Sequence, residues 1–191
     1  MDRKALESAA TRVTNLRGLL GIPGGLIFMA VGLGNLGWGP FAHEWFLVAV
    51  MLVLVMSLAS INRFYDKCYG KVTLLLSGQA RNLLLSVAFF GFGMIGGAVL
   101  DYSFDLSISL YAICFALAMI GWYAISVGLK THHYVIWGAL LVVGLIPIWG
   151  SLDDKTSVAW LPIGLATICC GLMDHLTLVR DFGARGEDDD A

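Results

Sequence analysis

The chain has 191 residues, of which 58% are hydrophobic and 14% are charged, with a mean hydropathy of +0.80 and a net charge of −2. Soluble domains carry about 25% charged and about 45–50% apolar residues. A globular core cannot bury this excess of apolar surface, so lipid is its natural environment. The weakly acidic balance, without a basic stripe or zinc-finger spacing, argues against nucleic-acid binding. The four cysteines form no Cys-x-x-Cys pair, which argues against a structural zinc site.

The segment before the first apolar run has the pattern of an amphipathic helix over residues 2–20. Its apolar positions at helical spacing are Leu6, Ala9, Val13, Leu16 and Leu20, with basic residues around them. No small-residue cleavage site closes the run that follows, so a signal peptide is not predicted. We expect a cytoplasmic amphipathic N-terminal helix, residues 1–17, that lies along the inner leaflet or docks on a cytoplasmic partner.

Charges and turns divide the apolar sequence into six segments. A helix needs about 20 residues to cross about 30 Å of hydrocarbon, with about 17 as the lower limit, and all six segments meet it. Open strands would leave polar backbone groups unsatisfied in lipid, so each segment is predicted to be a transmembrane helix. Predicted helices 1 to 6 cover residues 18–37, 45–61, 83–100, 108–128, 134–150 and 158–179. The predicted fold is an all-α integral membrane protein, with a transmembrane domain at 18–179 and an acidic cytoplasmic tail at 180–191.

The basic residues predict the orientation of these helices. Eleven of the 12 Lys and Arg residues precede helix 1, lie between helices 2 and 3 or 4 and 5, or follow helix 6. The opposite loops hold only Lys155. Because Lys and Arg remain on the cytoplasmic side, both termini are predicted to be cytoplasmic, as in a bacterial inner-membrane protein.

The odd-numbered helices are rich in glycine, whereas the even-numbered helices are bulkier. Small residues four apart, such as Gly21/Gly25 and Gly93/Gly97, let helix backbones approach closely in lipid. This pattern predicts three helical hairpins with the glycine-rich helices at the centre. Pro23 and Pro147 are expected to kink helices 1 and 5.

The remaining polar residues gather at the cytoplasmic ends of the predicted helices. They lie in loop 62–82, in loop 129–133 and near the end of helix 6. The candidate ligand-binding residues are Asp174, His175, Arg63, Arg81, Lys130 and His132. Asp174 precedes Arg180 by six residues, about 9 Å along a helix, which places its carboxylate just inside the interface. A buried carboxylate needs a partner, so we expect Arg63, Arg81 or Lys130 beside it.

The Asp174–His175 pair has three interpretations. It is foremost a structural pair that fixes how helix 6 packs. The alternatives are a binding site for an ionic or polar ligand and a metal or haem site that uses His175 with His132 or His133. No metal or cofactor is predicted, because adjacent histidines on a helix are expected to point apart.

Residues 32–37 match Gly-x-Gly-x-x-Gly, but they end a predicted membrane helix without a preceding strand, so the match is accidental. The sequence contains no His-Glu-x-x-His, Gly-x-Ser-x-Gly or Gly-x-x-x-x-Gly-Lys motif, and the middle of each predicted helix lacks a charged residue. The first hypothesis is therefore a non-enzymatic subunit or accessory of a transport or membrane assembly system. It would lie in the lipid bilayer with a membrane or cytoplasmic protein partner, or as a homo-oligomer. One alternative is a small-solute transporter or channel with a cavity among helices 1, 3 and 5. Another is an inner-leaflet enzyme that uses Asp174 and His175 as acid and base.

Overall fold

The computed structural model describes residues 16–70, 76–126, 128–152 and 154–182. These residues form helices and short connections and contain no β-strand, so the predicted all-α class is confirmed. Most of the predicted N-terminal helix, up to residue 15, and the tail from residue 183 lie outside the described residues. Within 16–20 the predicted α-helix does not continue, because Gly18–Leu20 is a 3-10 turn.

Six helices follow one another in the described part of the chain, near the six predicted segments. Helix α1 is Gly21–Asn35 and α2 is Glu44–Tyr69. Helix α3 consists of Leu76–Gly91, a π-helical turn Phe92–Gly96 and Gly97–Ser103. Helix α4 is Leu110–Ser126, α5 is Thr131–Leu145 and α6 is Lys155–Phe182.

Four helical stretches are long and apolar enough to cross a membrane: Gly18–Asn35, Glu44–Tyr69, Leu83–Ser103 and Lys155–Asp181. Helices α4 and α5 are apolar but have 17 and 15 residues. At about 1.5 Å per residue they are about 25 and 22 Å long, less than the hydrocarbon thickness of about 30 Å. Four spanning helices are therefore shown, and the expectation of six is not confirmed for α4 and α5.

Two predicted boundaries differ for local backbone reasons. Helix α5 ends at Leu145 because Ile146 precedes Pro147 and adopts an extended conformation with ψ 129°. Pro147 therefore follows the helix and does not kink it. Pro23 lies in the first turn of α1, where a missing N–H costs little, so it does not break that helix either.

The polar sequence predicted as loop 62–82 is largely helical. Helix α2 continues through Tyr69 and ends at Gly70, whose φ of +79° suits glycine. Helix α3 then begins at Leu76. The side chains near the end of α2 are therefore held on a helix, and they can take part in tertiary contacts.

Glycines allow close helix packing, as predicted, but the partners are the even-numbered helices. A Cβ atom on Gly21 would lie 2.9 Å from the Thr167 carbonyl oxygen of α6, and one on Gly25 would collide with the same helix. Gly93 and Gly97 of α3 meet α4 in a similar way. This arrangement differs from the predicted central packing of the glycine-rich helices on one another.

Helix α4 lies at the centre of the core. Eight of its residues are buried, among them Tyr111 and Phe115, and they pack with Trp137 of α5 and Ile163 of α6. Helix α2 contacts the rest mainly through α1, and most of its large apolar side chains are exposed. Exposed apolar side chains along a long helix are typical of a surface that faces lipid.

A buried ion pair stabilises the end of the bundle where α3 meets α4. The Asp101 carboxylate accepts a hydrogen bond from the Leu110 backbone N–H at 2.8 Å and lies 3.5 Å from Lys155 Nζ. Lys155 also donates to the carbonyls of Phe104 and Leu106, each at 3.3 Å. Lys155 is the one basic residue of the predicted outer loops, and its contacts explain its presence there, because it neutralises a buried carboxylate.

Candidate ligand site at Asp174

Asp174 of α6 is 2% exposed, and its carboxylate accepts hydrogen bonds from two other helices. Its Oδ1 atom lies 2.9 Å from His132 Nε2 and 2.8 Å from His133 Nε2, both at the start of α5. Its Oδ2 atom accepts from the Tyr123 hydroxyl of α4 at 2.8 Å. The Cys170 thiol, one turn earlier on α6, donates to the Tyr123 oxygen at 3.2 Å. Both carboxylate oxygens are therefore engaged.

The start of α5 explains how two adjacent histidines reach one oxygen atom. Lys130 is the N-cap residue, and its backbone N–H donates to Nδ1 of His133 at 3.1 Å. This capping bond turns the His133 ring back toward the helix start and beside His132, with ring centroids 4.1 Å apart. Tyr123 stacks on His133 from α4 at 3.8 Å. The expectation that adjacent histidines point apart was wrong here, because it holds for a helix interior and not for a capped first turn.

The same capping bond assigns the proton on His133. Since Nδ1 accepts from the Lys130 N–H, Nε2 must carry the hydrogen that is donated to Asp174. A metal ion on Nε2 would require a proton on Nδ1, facing the Lys130 N–H. The ligand atoms of His132, His133 and Asp174 lie within 4.8 Å of one another, but the N···O distances of 2.8 and 2.9 Å are those of hydrogen bonds. The cluster therefore fits a hydrogen-bonded carboxylate better than a metal centre.

His175 faces a different helix from Asp174. Its Nδ1 atom lies 2.9 Å from the hydroxyl of Tyr65 on α2, and that oxygen accepts from the Leu19 backbone N–H at 3.0 Å. Consecutive residues on an α-helix are about 100° apart around its axis, so neighbours in sequence contact different partners. Asp174 and His175 thus do not form an acid–base pair with each other.

Arg17 closes the site on the side of α2. Its Nη2 atom lies 2.8 Å from Asp66 Oδ1, and its Nη1 atom donates to Asn62 at 3.1 Å. Its guanidinium carbon lies 5.8 Å from the centre of the Tyr65 ring. The Nε–H group is buried and has no hydrogen-bond partner among the described residues. Arg17 lies at the predicted boundary of the N-terminal helix and was not predicted as a site residue.

A cavity of about 340 Å³ lies beside Asp174. Glycines of α1, including Gly21 and Gly24, form one wall, and Asp174 and Arg17 contribute polar groups. The aromatic part of the wall comes from Phe28, Phe90, Trp122, Tyr123 and Trp137. Predicted helices 1, 3 and 5 all contribute residues to the cavity, and α4 and α6 do so as well. A small molecule in it would contact aromatic rings and glycine backbone.

Besides His175, the structure brings some of the predicted site residues together and separates others. Asp174 and His132 are in direct contact, and Lys130 joins them through its backbone, while its Nζ atom lies 3.5 Å from Asp181. Arg63 is exposed and takes no part in the contacts of Asp174. The Arg81 side chain lies outside the described residues. The expected Arg or Lys partner of Asp174 was thus wrong for the described residues, because histidine and tyrosine donors supply its hydrogen bonds.

Sequence reasoning named His133 only in the metal or haem alternative, and it did not select Tyr123, Cys170 or Trp137. The Cys170–Asp174 spacing of four residues places both on one helix face and could have indicated Cys170. A histidine in the third position of a helix can cap the helix start, which was the available indication for His133. Tyr123 has no such local signal, because only tertiary packing brings it to Asp174.

Replacing Asp174 with alanine is expected to destabilise the protein strongly. Asp174→Ala leaves three donors without an acceptor, two of them buried, and such losses cost about 3–5 kcal/mol. Asp181→Ala is the matched control, since it removes an exposed carboxylate of α6 that also faces the start of α5, at a cost below about 1 kcal/mol. Unfolding of both variants in lipid–detergent micelles provides the measurement. Equal stability losses would show that Asp174 is not a structural anchor.

Comparison with protein-family models, with curated proteins and with solved structures finds no match to this chain. The site therefore has to be interpreted from its own geometry. That geometry is a fully engaged buried carboxylate at the meeting point of three helices, with a small cavity at its side.

Proposed function

We propose that this chain is a six-helix integral membrane protein and a non-enzymatic component of a transport system that binds a small molecule in the cavity beside Asp174. The observation that carries the proposal is the cavity itself. Its volume of about 340 Å³ falls in the range of about 300–1,000 Å³ found for ligand pockets, near the lower end. Mostly apolar walls with a few polar groups are also typical of such pockets. The proposal joins the subunit and solute-binding hypotheses.

We propose that α4 and α5 cross the membrane in addition to the four helical stretches of spanning length. Helices α4 and α5 are short, but a bilayer adapts to a short apolar helix by local thinning at modest cost. Basic residues Arg17, Lys130 and Arg180 gather at the end of the bundle that holds Asp174, through contacts such as Arg17–Asp66 and Lys130–Asp181. We place this end, with both termini, on the cytoplasmic side of a bacterial inner membrane.

Cysteine labelling in intact cells is expected to reveal this orientation. Cys68 is exposed near the end of α2, on the proposed cytoplasmic side. Asp105 is exposed in the connection after α3, on the proposed outer side. A membrane-impermeant maleimide should label Asp105→Cys in a Cys68→Ser background but leave native Cys68 unlabelled until the cells are lysed. The reverse pattern would overturn the orientation.

The alternative of an enzyme has less support in the geometry. Its proposed acid and base were Asp174 and His175, and these two residues bind to different partners. Both oxygens of Asp174 already accept hydrogen bonds, so the carboxylate is not free to receive a substrate proton. A partner protein or a second copy of the chain stays a prediction, which intact-complex masses can test.

Filling the cavity is expected to remove a bound small molecule. Gly24 lines the cavity, and a Cβ atom there has no neighbour within 4 Å, so Gly24→Leu places its side chain in open space without a backbone clash. Gly138→Leu is the matched control, because that position is equally open but is not on the cavity wall. Native mass spectrometry of protein released gently from its own membrane should show a small molecule on the wild type and on Gly138→Leu but not on Gly24→Leu.

The same spectra can contradict the proposal in two ways. A wild-type protein without any retained small molecule would remove the evidence that the cavity is occupied in its membrane. A molecule retained equally by Gly24→Leu would show that binding takes place elsewhere. A retained partner protein would identify the assembly in which the chain works, and it would leave the cavity result unchanged.

A further inference from the structure

We propose that the ligand of this cavity is a neutral, lipid-soluble molecule that carries a hydrogen-bond acceptor at its polar end and enters from the bilayer between α1 and α3. This inference rests on the proposed small-molecule function and specifies its ligand class. Three properties of the wall support it: its charged groups are already paired, its buried side-chain groups without a partner are donors, and one side of the cavity belongs to a lipid-facing helix.

The charges at the cavity are already engaged with protein partners. Asp174 accepts from His132, His133 and Tyr123, so both of its carboxylate oxygens are already engaged with protein donors. The two terminal nitrogens of Arg17 bind Asn62 and Asp66, so its guanidinium fork is not open to a ligand carboxylate. A charged ligand would lose its hydration without gaining a counter-charge, and this cost excludes it.

Two buried side-chain donors of the lining residues have no partner in the described part of the chain. Arg17 Nε and Trp137 Nε1 are buried and have no hydrogen-bond partner among the described residues, and both residues line the cavity. The Cys170 sulfur interacts with the Trp137 indole, but it does not meet the N–H in hydrogen-bond geometry, and sulfur is a weak acceptor. Buried donors without partners are costly. A ligand carbonyl or ether oxygen would satisfy such a group.

The route into the cavity runs through the hydrophobic side of the bundle. Helices α1 and α3 both line the cavity but share no substantial interface with each other. Phe90 forms the α3 part of the wall and is 36% exposed, while Gly24 of α1 and Leu20, directly before α1, form the facing part and are half-buried. On a helix proposed to cross the membrane, exposed apolar side chains face lipid. A lipid-soluble ligand can therefore reach the aromatic walls without crossing water.

Photolabelling with four matched probes tests the ligand class. The probes share one diazirine-bearing alkyl chain and end in a methyl ester, a carboxylic acid, a primary amine or a plain hydrocarbon. The protein is reconstituted in lipid vesicles, and labelling is mapped by mass spectrometry on the α4 peptide with Met119 and Tyr123, which line the cavity. Labelling of Met56 on α2, which is 70% exposed, reports general contact with lipid. Two variants serve as controls: Gly24→Leu fills the cavity, and Gly138→Leu leaves it open.

The ester probe is expected to label the α4 peptide about tenfold more than the acid and the amine, relative to Met56, which corresponds to about 1.4 kcal/mol. Gly24→Leu should abolish this labelling, whereas Gly138→Leu should retain it. Trp137→Phe keeps the aromatic wall but removes the N–H donor. In that variant, labelling of the α4 peptide by the ester probe should fall several-fold, to the level reached by the hydrocarbon probe.

Different failures separate this inference from the proposed function. If the acid or the amine probe labels the wild type as strongly as the ester probe, the claim that the ligand is neutral is overturned. The proposal that the cavity binds a small molecule would still stand. Equal labelling of the wild type by the ester and hydrocarbon probes would overturn the claim that the ligand carries a hydrogen-bond acceptor. If no probe labels the wild type above Gly24→Leu, but native spectra still show a small molecule that Gly24→Leu loses, the ligand is not lipid-soluble. The proposed function itself would be overturned by native spectra in which the wild type retains no small molecule, or in which Gly24→Leu retains it equally.

Discussion

The buried carboxylate of Asp174 and its hydrogen-bond donors determine how three helices meet. A carboxylate in an apolar interior is costly unless donors surround it, and here the donors come from α4 and α5 while the acceptor comes from α6. Tyr123 both donates to this carboxylate and stacks on His133, so the three helices have a fixed relative position at this end. At the opposite end, Asp101 and Lys155 link α3, α4 and α6 by the same principle.

The cavity is a consequence of this arrangement combined with the glycines of α1. Gly21 and Gly25 allow α1 to approach α6 closely, whereas Gly24, on the adjoining face, has no side chain to fill the space beside it. Helix α4 brings Met119 and Trp122 to the cavity wall because it is held at the centre of the bundle.

The parts of the structure that follow from local composition could be predicted from the sequence. The helical class, the long apolar helices and the close approach at Gly21/Gly25 depend on residue type and spacing alone. The length of α5 was missed because the effect of Pro147 on Ile146 was interpreted as a kink and not as a helix end. The sequence before Gly70 was predicted as a loop because its polar residues were weighed above its helical continuity.

The partners of Asp174 could not be predicted, because they depend on how three helices align in space. Tyr123 lies 51 residues from Asp174, and no spacing rule connects them. His133 was discounted by a rule for helix interiors, whereas its role comes from the backbone N–H of Lys130. The unpartnered donors beside the cavity, Trp137 Nε1 and Arg17 Nε, likewise become evident only in the three-dimensional structure.

The most direct test of the central claim is a 15N nuclear magnetic resonance measurement of the histidine ring nitrogens in the lipid-reconstituted protein. His132→Gln and His133→Gln variants would assign the signals. The hydrogen-bond network predicts that His133 carries its proton on Nε2, directed at Asp174, and has an unprotonated Nδ1 that accepts from the backbone. A protonated Nδ1 with an unprotonated Nε2, the form that a metal ligand would take, would contradict the account of Asp174 as a hydrogen-bonded structural anchor.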